Sequence, residues 1–447
     1  MSTWPGTVSI AVGTRTIQKL RLRILPFVVL LFVVAIIDRN NIGFAALTMN
    51  KELAITSQQF GLMFGIFYIG YLMFEIPSNL LLHRVGARVW IARILISWGI
   101  VAALSGFVQS LNELYITRFL LGVTEAGYFP GIILYLTYWF PRREQARTFA
   151  LLITATPVTM IAGAPISGFI LDHVHLLGFS SWRWLLILEG APAIILGALT
   201  YVLLPSRPEE AKFLTEQERG WLKGEMNGEE QLKVAQRQFS VAQALTSGRV
   251  WHLVIVYFGM MVGLHTVGSW APQLVKSFAC RYSNSGIGLL LILPSVTGLA
   301  AMVLVSHSSD RRMERRYHVA LPALVAAVAL FLFGSTSSLV PSMALLCLLT
   351  ACVYSCPGPF WALPNEFLTG YSAAAGIALI NSVGNLGGLV GPAGVGYFAQ
   401  RFGKLHAGLA FAAVPLLVSA VLVLFLQKFV PPPGNASSLL RFRPPEN

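Results

Sequence analysis

Long runs of apolar residues, separated by short polar segments, recur along the whole chain. A helix needs about 20 predominantly apolar residues to cross the roughly 30 Å hydrocarbon layer of a membrane. Twelve runs approach or exceed that length, and they predict twelve membrane-spanning helices. Spans 1 to 12 are expected at about residues 25–47, 60–82, 89–108, 114–139, 146–171, 184–204, 250–275, 286–305, 318–333, 341–363, 373–399 and 405–429.

The longest polar segment, Pro205–Arg249, divides these spans into two sets of six. Within it, Thr215-Glu-Gln-Glu218 matches a capping box and predicts a short surface helix. The chain is therefore expected to be an all-α membrane protein built from two pseudo-symmetric six-helix bundles. The expected boundaries are residues 1–206 for the N-terminal bundle, 207–249 for a cytoplasmic linker, 250–430 for the C-terminal bundle and 431–447 for a disordered tail.

Two internal correspondences indicate that the halves arose by duplication. The basic loop Asn79–Arg88 after span 2 corresponds to Ser306–Arg315 after span 8. The small and proline residues of Gly163–Gly168 in span 5 correspond to Gly391–Gly396 in span 11. Gly/Pro-interrupted spans at matching positions of two halves are typical of transporters with a binding site between the halves.

The composition excludes a soluble globule, because 55% of the residues are hydrophobic and only 11% are charged, against about a quarter charged in soluble domains. The formal net charge is +13. Lys and Arg concentrate in alternate loops, for example around Arg84, Arg142 and Arg311. The positive-inside rule then places both termini and the linker in the cytoplasm. A nucleic-acid partner would need one contiguous basic face, which this pattern lacks.

An enzymatic function is not expected, since no His-Glu-x-x-His, Gly-x-Ser-x-Gly or phosphate-binding Gly-Lys-Ser/Thr motif occurs. The four cysteines, with Cys352 and Cys356 on one helix face, are interpreted as small apolar residues of the spans rather than as a metal site or a disulfide. No metal and no cofactor are predicted.

Charged residues at membrane depth identify the candidate site. Span 4 contains Arg118 and Glu125, and a charge near the bilayer centre costs roughly 2.5–3.5 kcal/mol. Their spacing of seven residues returns to nearly the same helix face, so Glu125 is expected to pair with Arg118 when ionised and to release it when protonated. An ion pair that only locks two helices is the structural alternative.

Span 1 carries the adjacent residues Asp38 and Arg39. Because neighbouring residues point about 100° apart on a helix, these two groups are expected to serve different partners. Further polar candidates are Tyr71 in span 2, His265 in span 7, Trp361 in span 10 and Asn381 in span 11. For His265, a ligand contact and a satisfied interhelical histidine are equal alternatives.

The loop Asn79-Leu-Leu-Leu-His-Arg84-Val-Gly86-Ala-Arg88 resembles the signature Gly-x-x-x-Asp-Arg-x-Gly-Arg-Arg of the major facilitator superfamily. It keeps Arg84, Gly86 and Arg88 but has Asn79 and His83 at the Gly and Asp positions. The pair Asp310-Arg311 resembles the second copy of the signature. The resemblance implies the superfamily fold, with Arg84, Gly86, Arg88, Asp310 and Arg311 in conformational gating.

Four further segments resemble the anion:cation symporter family, which includes bacterial carriers of tartrate, phthalate, hydroxyphenylacetate and sugar acids, and animal sialin and vesicular glutamate carriers. These segments are Asp38–Ala45, Phe74–Asn79, Arg118–Gly131 and Gly376–Gly388. The resemblance extends from about residue 20 to 430. It implies secondary active import of a small organic anion by alternating access, with protons as the coupling ion, by a monomer in the bacterial inner membrane.

Residue by residue, the resemblance implies that Asp38 and Glu125 are proton-titrating carboxyl groups and that Arg39 and Arg118 contact the substrate carboxylate. It likewise implies that Tyr71, Trp361 and Asn381 line the cavity. Sugar-acid carriers tend to have a glutamine in span 5 where this chain has Thr156-Pro157, which makes a hexonate a less secure substrate. An uncoupled facilitator or an anion exchanger would share every motif, so only the behaviour of Asp38 and Glu125 variants separates these alternatives from a symporter.

Overall fold

The computed structural model describes residues 5–235, 246–336, 338–365 and 370–426. The regular elements in these segments are helices. The N-terminal half contains α1 (Pro5–Arg23), α2 (Leu25–Glu52), α3 (Ser57–Val85), α4 (Ala87–Leu104), α5 (Leu111–Glu125), α6 (Tyr128–Thr137), α7 (Arg142–His173) and α8 (Ser181–Leu203). The tail predicted to be disordered, residues 431–447, lies outside the described residues.

The linker contributes α9 (Glu216–Ala235). The C-terminal half contains α10 (Gly248–Phe278), α11 (Asn284–Leu290), α12 (Ile292–Arg312), α13 (Arg316–Leu332), α14 (Leu339–Ser355), α15 (Pro357–Asn365), α16 (Gly370–Gly384), α17 (Gly387–Phe402) and α18 (Leu405–Leu424). Short 3-10 turns occupy residues 105–107, 208–210 and 333–335.

Each of the twelve predicted spans corresponds to helix in the structure. Ten segments of the described chain are long and apolar enough to cross a membrane, and α13 is a shorter apolar helix. The pair α16 and α17 occupies the position of span 11. Spans 4, 8, 10 and 11 are each divided into two consecutive helices, which the apolar pattern did not predict.

The capping box in the linker was predicted correctly. The Thr215 amide donates to Glu218 Oε2 at 2.9 Å, and the Glu218 amide donates to Thr215 Oγ1 at 3.3 Å, at the start of α9. Glu218 also accepts from Lys19 of α1 at 2.8 Å. Because Lys19 precedes span 1, this contact attaches the linker helix to the N-terminal half.

The two halves touch near the helix ends that lie away from the linker, here called the far end. There α3 packs on α17, and α7 packs on α11 and α12. A Cβ atom added to Gly61 would lie 2.2 Å from the Pro392 carbonyl oxygen, and one added to Gly288 would lie 2.3 Å from the Ala164 oxygen. Only glycine permits backbones to approach so closely, so the far end is closed by direct helix contact.

A carboxylate reinforces this closure. Asp172 Oδ1 accepts from the Asn284 amide at 3.2 Å and from Asn284 Nδ2 at 2.8 Å, while Oδ2 accepts from the Ser285 amide at 2.7 Å. Asp172 belongs to α7 and the donors belong to the start of α11. A carboxylate stabilises the unpaired amides and the positive dipole at a helix N-terminus. One half therefore caps a helix of the other.

Replacing Asp172 with alanine should loosen the far end, because three hydrogen bonds between the halves are lost. In a variant without native cysteines that carries Ala164→Cys, labelling by a membrane-impermeant maleimide should be faster with D172A than with Asp172. D172N, which keeps one acceptor oxygen, should lie between them. Ser110→Ala removes a cap within one half and serves as the control. Equal labelling of D172A and the control would contradict a closing role for Asp172.

Candidate functional site

The site is built around a break in span 4. Helix α5 ends at Glu125, Ala126 leaves the helical conformation with ψ 132°, and Gly127 adopts φ 82° before α6 begins. The Ala126 carbonyl accepts from Ser78 Oγ at 2.6 Å, and Trp90 Nε1 donates to the same hydroxyl at 3.0 Å. The break is therefore hydrogen-bonded, and it places Glu125 at a helix terminus inside the protein.

Glu125 forms an ion pair with Arg39 of α2. The Glu125 side chain is 2% exposed, whereas that of Arg39 is 31% exposed. The expected pairing of Glu125 with Arg118 is wrong: seven residues are two helical turns, about 10.5 Å along the axis, so the two groups share a face but not a contact. Glu125 instead connects two helices.

Aromatic rings hold the Arg39 guanidinium in place. Its central carbon lies 5.5 Å from the ring centre of Phe67 and 5.8 Å from that of Tyr71. Such cation–π contacts favour a fixed position for the cation. Tyr71, a predicted cavity residue, thus lies against the predicted anchor.

Arg118 is buried and has no close anionic partner among the described residues. The residue is 4% exposed, its guanidinium lies 5.9 Å from the Phe67 ring centre, and Nε has no hydrogen bond. Asp38 and Glu125 interact with it only at longer range, and it forms no ion pair within the described ranges. A buried charge without a close partner is costly, so this position favours a guest anion.

Asp38 points into the N-terminal half, away from Arg39. Its Oδ2 accepts from Trp98 Nε1 at 2.5 Å, and its Oδ1 accepts from Asn41 Nδ2 at 3.1 Å. The residue is 3% exposed. The adjacent residues Asp38 and Arg39 therefore serve different partners, as their angular separation predicts. Asp38 and Arg118 line the same small cavity.

His265 bonds across the boundary between the halves. Tyr68 of α3 and His265 of α10 share a hydrogen bond of 2.8 Å between the phenol oxygen and Nδ1, and their ring centres lie 4.8 Å apart. Nε2 is buried without a hydrogen bond, and the Asn385 side chain lies beside the ring. The hydrogen bond at Nδ1 agrees with the interhelical role of His265. A ligand contact through Nε2 remains a prediction.

The remaining predicted cavity residues of the C-terminal half lie on α15 and α16. Trp361 packs edge-on against Tyr257 of α10, with ring centres 4.9 Å apart. Asn381 is half-buried on α16, one turn before Asn385. The neighbouring Ser382 donates to Glu75 Oε2 at 3.3 Å across the boundary. Ser382, a neutral group of this half, therefore contacts a carboxyl group of the other.

Two buried carboxyl groups were not included among the predicted site residues. Glu75 of α3 and Glu189 of α8 are both 5% exposed. Each is a lone acidic residue within an apolar run of the sequence. The cost of a charge at membrane depth, applied to every span, was the signal that could have identified them.

The predicted gating residues of the first half lie in the turn between α3 and α4. Gly86 adopts φ 95° there, a conformation that favours glycine. Arg88 pairs with Glu210, at the start of the linker, at 3.4 Å. Arg84 is exposed. The turn is thus connected to the linker, and the gating role of these residues remains a prediction.

The second copy of the signature lies at the end of α12. Asp310 pairs with Arg315 at 2.5 Å, and Arg311 is exposed. Arg315 Nη1 also donates to Ser309 Oγ at 3.0 Å. Asp310 therefore stabilises a local turn before α13. Its role in gating remains a prediction.

Residues 28–392 match the sequence profile of the Major Facilitator Superfamily. The chain belongs to this superfamily. It is therefore a multi-pass membrane transporter, a carrier rather than an enzyme.

Several relatives match the chain along nearly its whole length. A protein of Agrobacterium vitis named "Putative tartrate transporter" is 46% identical, with 96% of this chain and 99% of that one covered. The "Quinolone resistance transporter" of Acinetobacter baumannii is 37% identical over 91% and 93% of the two chains. The "Inner membrane transport protein RhmT" of Escherichia coli is 32% identical over 94% and 97%.

Solved structures support the fold. The xylose transporter XylE of Escherichia coli, in a partially occluded inward-open conformation, superposes with a TM-score of 0.71 at 15% identity and covers 91% of this chain and 98% of its own. A bacterial homologue of the lysosomal transporter Spinster gives a TM-score of 0.70 at 16% identity, with 90% and 95% covered. The predicted two-bundle superfamily fold is thereby confirmed.

The break in span 4 should depend on Gly127. Alanine at this position is strained at positive φ, and its Cβ would lie 2.3 Å from Ser78 Oγ. G127A should lower the melting temperature of the purified protein and reduce transport severalfold. A Cβ at Gly131 would lie 2.6 Å from the flexible end of Leu82 and 3.7 Å from Ile91, so G131A should change both quantities much less. Wild-type transport by G127A would show that the break is not required.

Proposed function

We propose that the protein imports a small organic anion, a carboxylate, together with protons. The observation that carries this proposal is the ion pair between partly exposed Arg39 and buried Glu125. An anion that binds Arg39 must compete with Glu125 for the same guanidinium. Once displaced, an ionised Glu125 would be buried without a close partner, which is strongly unfavourable.

Protonation of Glu125 resolves that conflict. A neutral carboxyl group releases Arg39 to the entering carboxylate at a much lower cost than an ionised one. Anion binding and proton binding therefore favour each other, which is the requirement for symport. The guanidinium suits this role because its planar fork matches a carboxylate in two parallel hydrogen bonds.

Arg118 supplies a second contact for the anion. It lies on the same Phe67 ring as Arg39, and it has no ion pair in the part of the chain that the structure describes. An anion with two carboxylates could engage both guanidinium groups. The name of the Agrobacterium vitis relative, "Putative tartrate transporter", supports a dicarboxylate as the substrate. Another relative is named for quinolone resistance, so relatives at these levels of identity carry names for different compounds.

The proposed setting is the bacterial inner membrane with both termini in the cytoplasm. The distribution of Lys and Arg among the loops supports this orientation. The far end, closed by Asp172 and by the helix contacts at Gly61 and Gly288, is then the external side. In this conformation we expect the anion to reach or leave Arg39 from the cytoplasmic side. Import then requires the two halves to rock about the site.

Uptake into proteoliposomes under an inward proton gradient tests the function. The panel is tartrate, phthalate, 4-hydroxyphenylacetate, glucarate, galactonate and glucuronate. We expect accumulation of at least one of these anions, and its loss when a protonophore is added. Exchange without gradient-driven accumulation would contradict symport and favour the facilitator or exchanger alternative.

Glu125→Gln should abolish accumulation driven by the proton gradient while sparing part of the anion exchange. Glutamine cannot titrate, and it no longer pairs with Arg39 as an anion. Glu113→Gln, at the exposed start of the same helix α5, is the matched control and should accumulate anion normally. Accumulation by E125Q at the wild-type level would remove Glu125 from the coupling mechanism.

Arg118→Lys should weaken anion binding by about tenfold or more, since hydrogen bonds to charged groups contribute about 1.5–3 kcal/mol and the fork geometry is lost. Arg39→Lys should act in the same direction. Arg93→Lys, half-buried in the same half, controls for the substitution itself. If calorimetry shows that R118K binds the anion with the wild-type affinity, Arg118 is excluded as an anchor.

A further inference from the structure

Phe67 of α3 lies beside both arginines of the site. The central carbon of the Arg39 guanidinium is 5.5 Å from the centre of its ring, and that of Arg118 is 5.9 Å away. Tyr71, one turn further along α3, has Arg39 near its ring at 5.8 Å. Among the described residues, Phe67 is therefore the aromatic ring that the two guanidinium groups share. The proposed symport assigns no role to it.

The Phe67 ring is held in a fixed place. The residue is 3% exposed, and the Tyr68 ring packs edge-on against it, with ring centres 5.1 Å apart and planes at 85°. A Cβ atom added to Gly122 would lie 2.0 Å from the Phe67 carbonyl oxygen, so the backbones of α3 and α5 are in direct contact here. Gly122 follows Arg118 by about one helical turn. The helices that carry the ring and Arg118 are therefore fixed against each other.

An aromatic ring attracts cations through the negative potential of its face. This attraction is important for Arg118, because Arg118 is buried and has no ion pair within the described segments. For Arg39 it adds a restraint to the ion pair with Glu125. When an anion displaces Glu125, the rings of Phe67 and Tyr71 still attract the Arg39 guanidinium. Two like charges, which repel each other, are thus kept beside one ring.

We propose that Phe67 is a positioning residue that makes the site selective for dicarboxylates. Because it holds both guanidinium groups beside one ring, they stay within reach of the two carboxylates of one short ligand. The arrangement exists before the ligand arrives, and such preorganisation lowers the entropic cost of binding. A monocarboxylate can use only one of the two guanidinium forks. This inference rests on the proposed function and defines its substrate class more closely.

Fluorinated phenylalanine separates this role from packing. Fluorine weakens the negative potential of the ring face but leaves the shape of the side chain nearly unchanged. Phenylalanines of increasing fluorine content are incorporated at position 67 of the full chain. Phe64 is the matched control, because it lies about one turn earlier in α3, is likewise 3% exposed and has Tyr68 at 6.1 Å between ring centres. No arginine of the described segments lies over the Phe64 ring.

Calorimetry measures the affinity of the purified protein for tartrate and its monoamide, and for phthalate and its monoamide. Each monoamide replaces one carboxylate with a neutral group of similar shape. The ratio of the two affinities reports the contribution of the second carboxylate, and a general effect of the substitution on binding cancels in it. We expect wild type to prefer the diacid, and this preference to fall by about threefold or more with trifluorophenylalanine at position 67. At position 64 the ratio should not change.

The outcomes distinguish this inference from the proposed function. If wild type binds neither diacid better than its monoamide, selectivity for dicarboxylates is wrong and this inference is wrong with it. Accumulation of a monocarboxylate with protons would in that case still support the proposed symport. If wild type prefers the diacid but fluorination changes the ratio equally at positions 67 and 64, or at neither, the positioning role of Phe67 alone is wrong. A stepwise decrease at position 67 that position 64 does not show supports the inference.

Discussion

A guanidinium group keeps its charge in any protein environment, so Arg39 needs an anionic partner in every state of the carrier. In this structure Glu125 fills that place, and the break after α5 is what brings its carboxylate to α2. The remaining features of the site depend on this requirement. The aromatic rings fix the cation, Ser78 stabilises the break, and on the proposed mechanism the substrate is the one competitor that can replace Glu125.

The two halves contribute different chemistry to the boundary. The buried charged side chains within the described membrane segments, Asp38, Glu75, Arg118, Glu125 and Glu189, belong to the N-terminal half. The C-terminal half presents neutral groups instead, among them His265 to Tyr68 and Ser382 to Glu75. Neutral contacts cost less to break and remake than ion pairs do when halves move apart. Charge recognition and proton exchange can therefore stay within one bundle while the other moves against it.

The lengths of the apolar runs predicted the helices and their division into halves. A helix that crosses a membrane needs about 20 apolar residues, and tertiary contacts do not change that requirement. Asp38, Arg39, Arg118 and Glu125 were identified as site residues because a charge at membrane depth is costly, whereas Glu75 and Glu189 were not. Their pairing was not predictable, since the partner of Glu125 depends on the α5–α6 break, and neither Gly127 nor Pro130 interrupts the apolar pattern. Helix periodicity gave the face of Arg118 and Glu125 correctly, but it ignored their separation along the axis.

The balance of charge bears on how many protons such a site can handle. The N-terminal half buries four carboxyl groups, Asp38, Glu75, Glu125 and Glu189, against one buried guanidinium, Arg118, and one partly exposed guanidinium, Arg39. If all were ionised, the interior would carry an excess of negative charge, which a low-dielectric environment opposes. An entering organic anion increases that excess. Proton uptake on anion binding is then the response that electrostatics favours, and the surplus of acids over arginines provides the groups that can accept those protons.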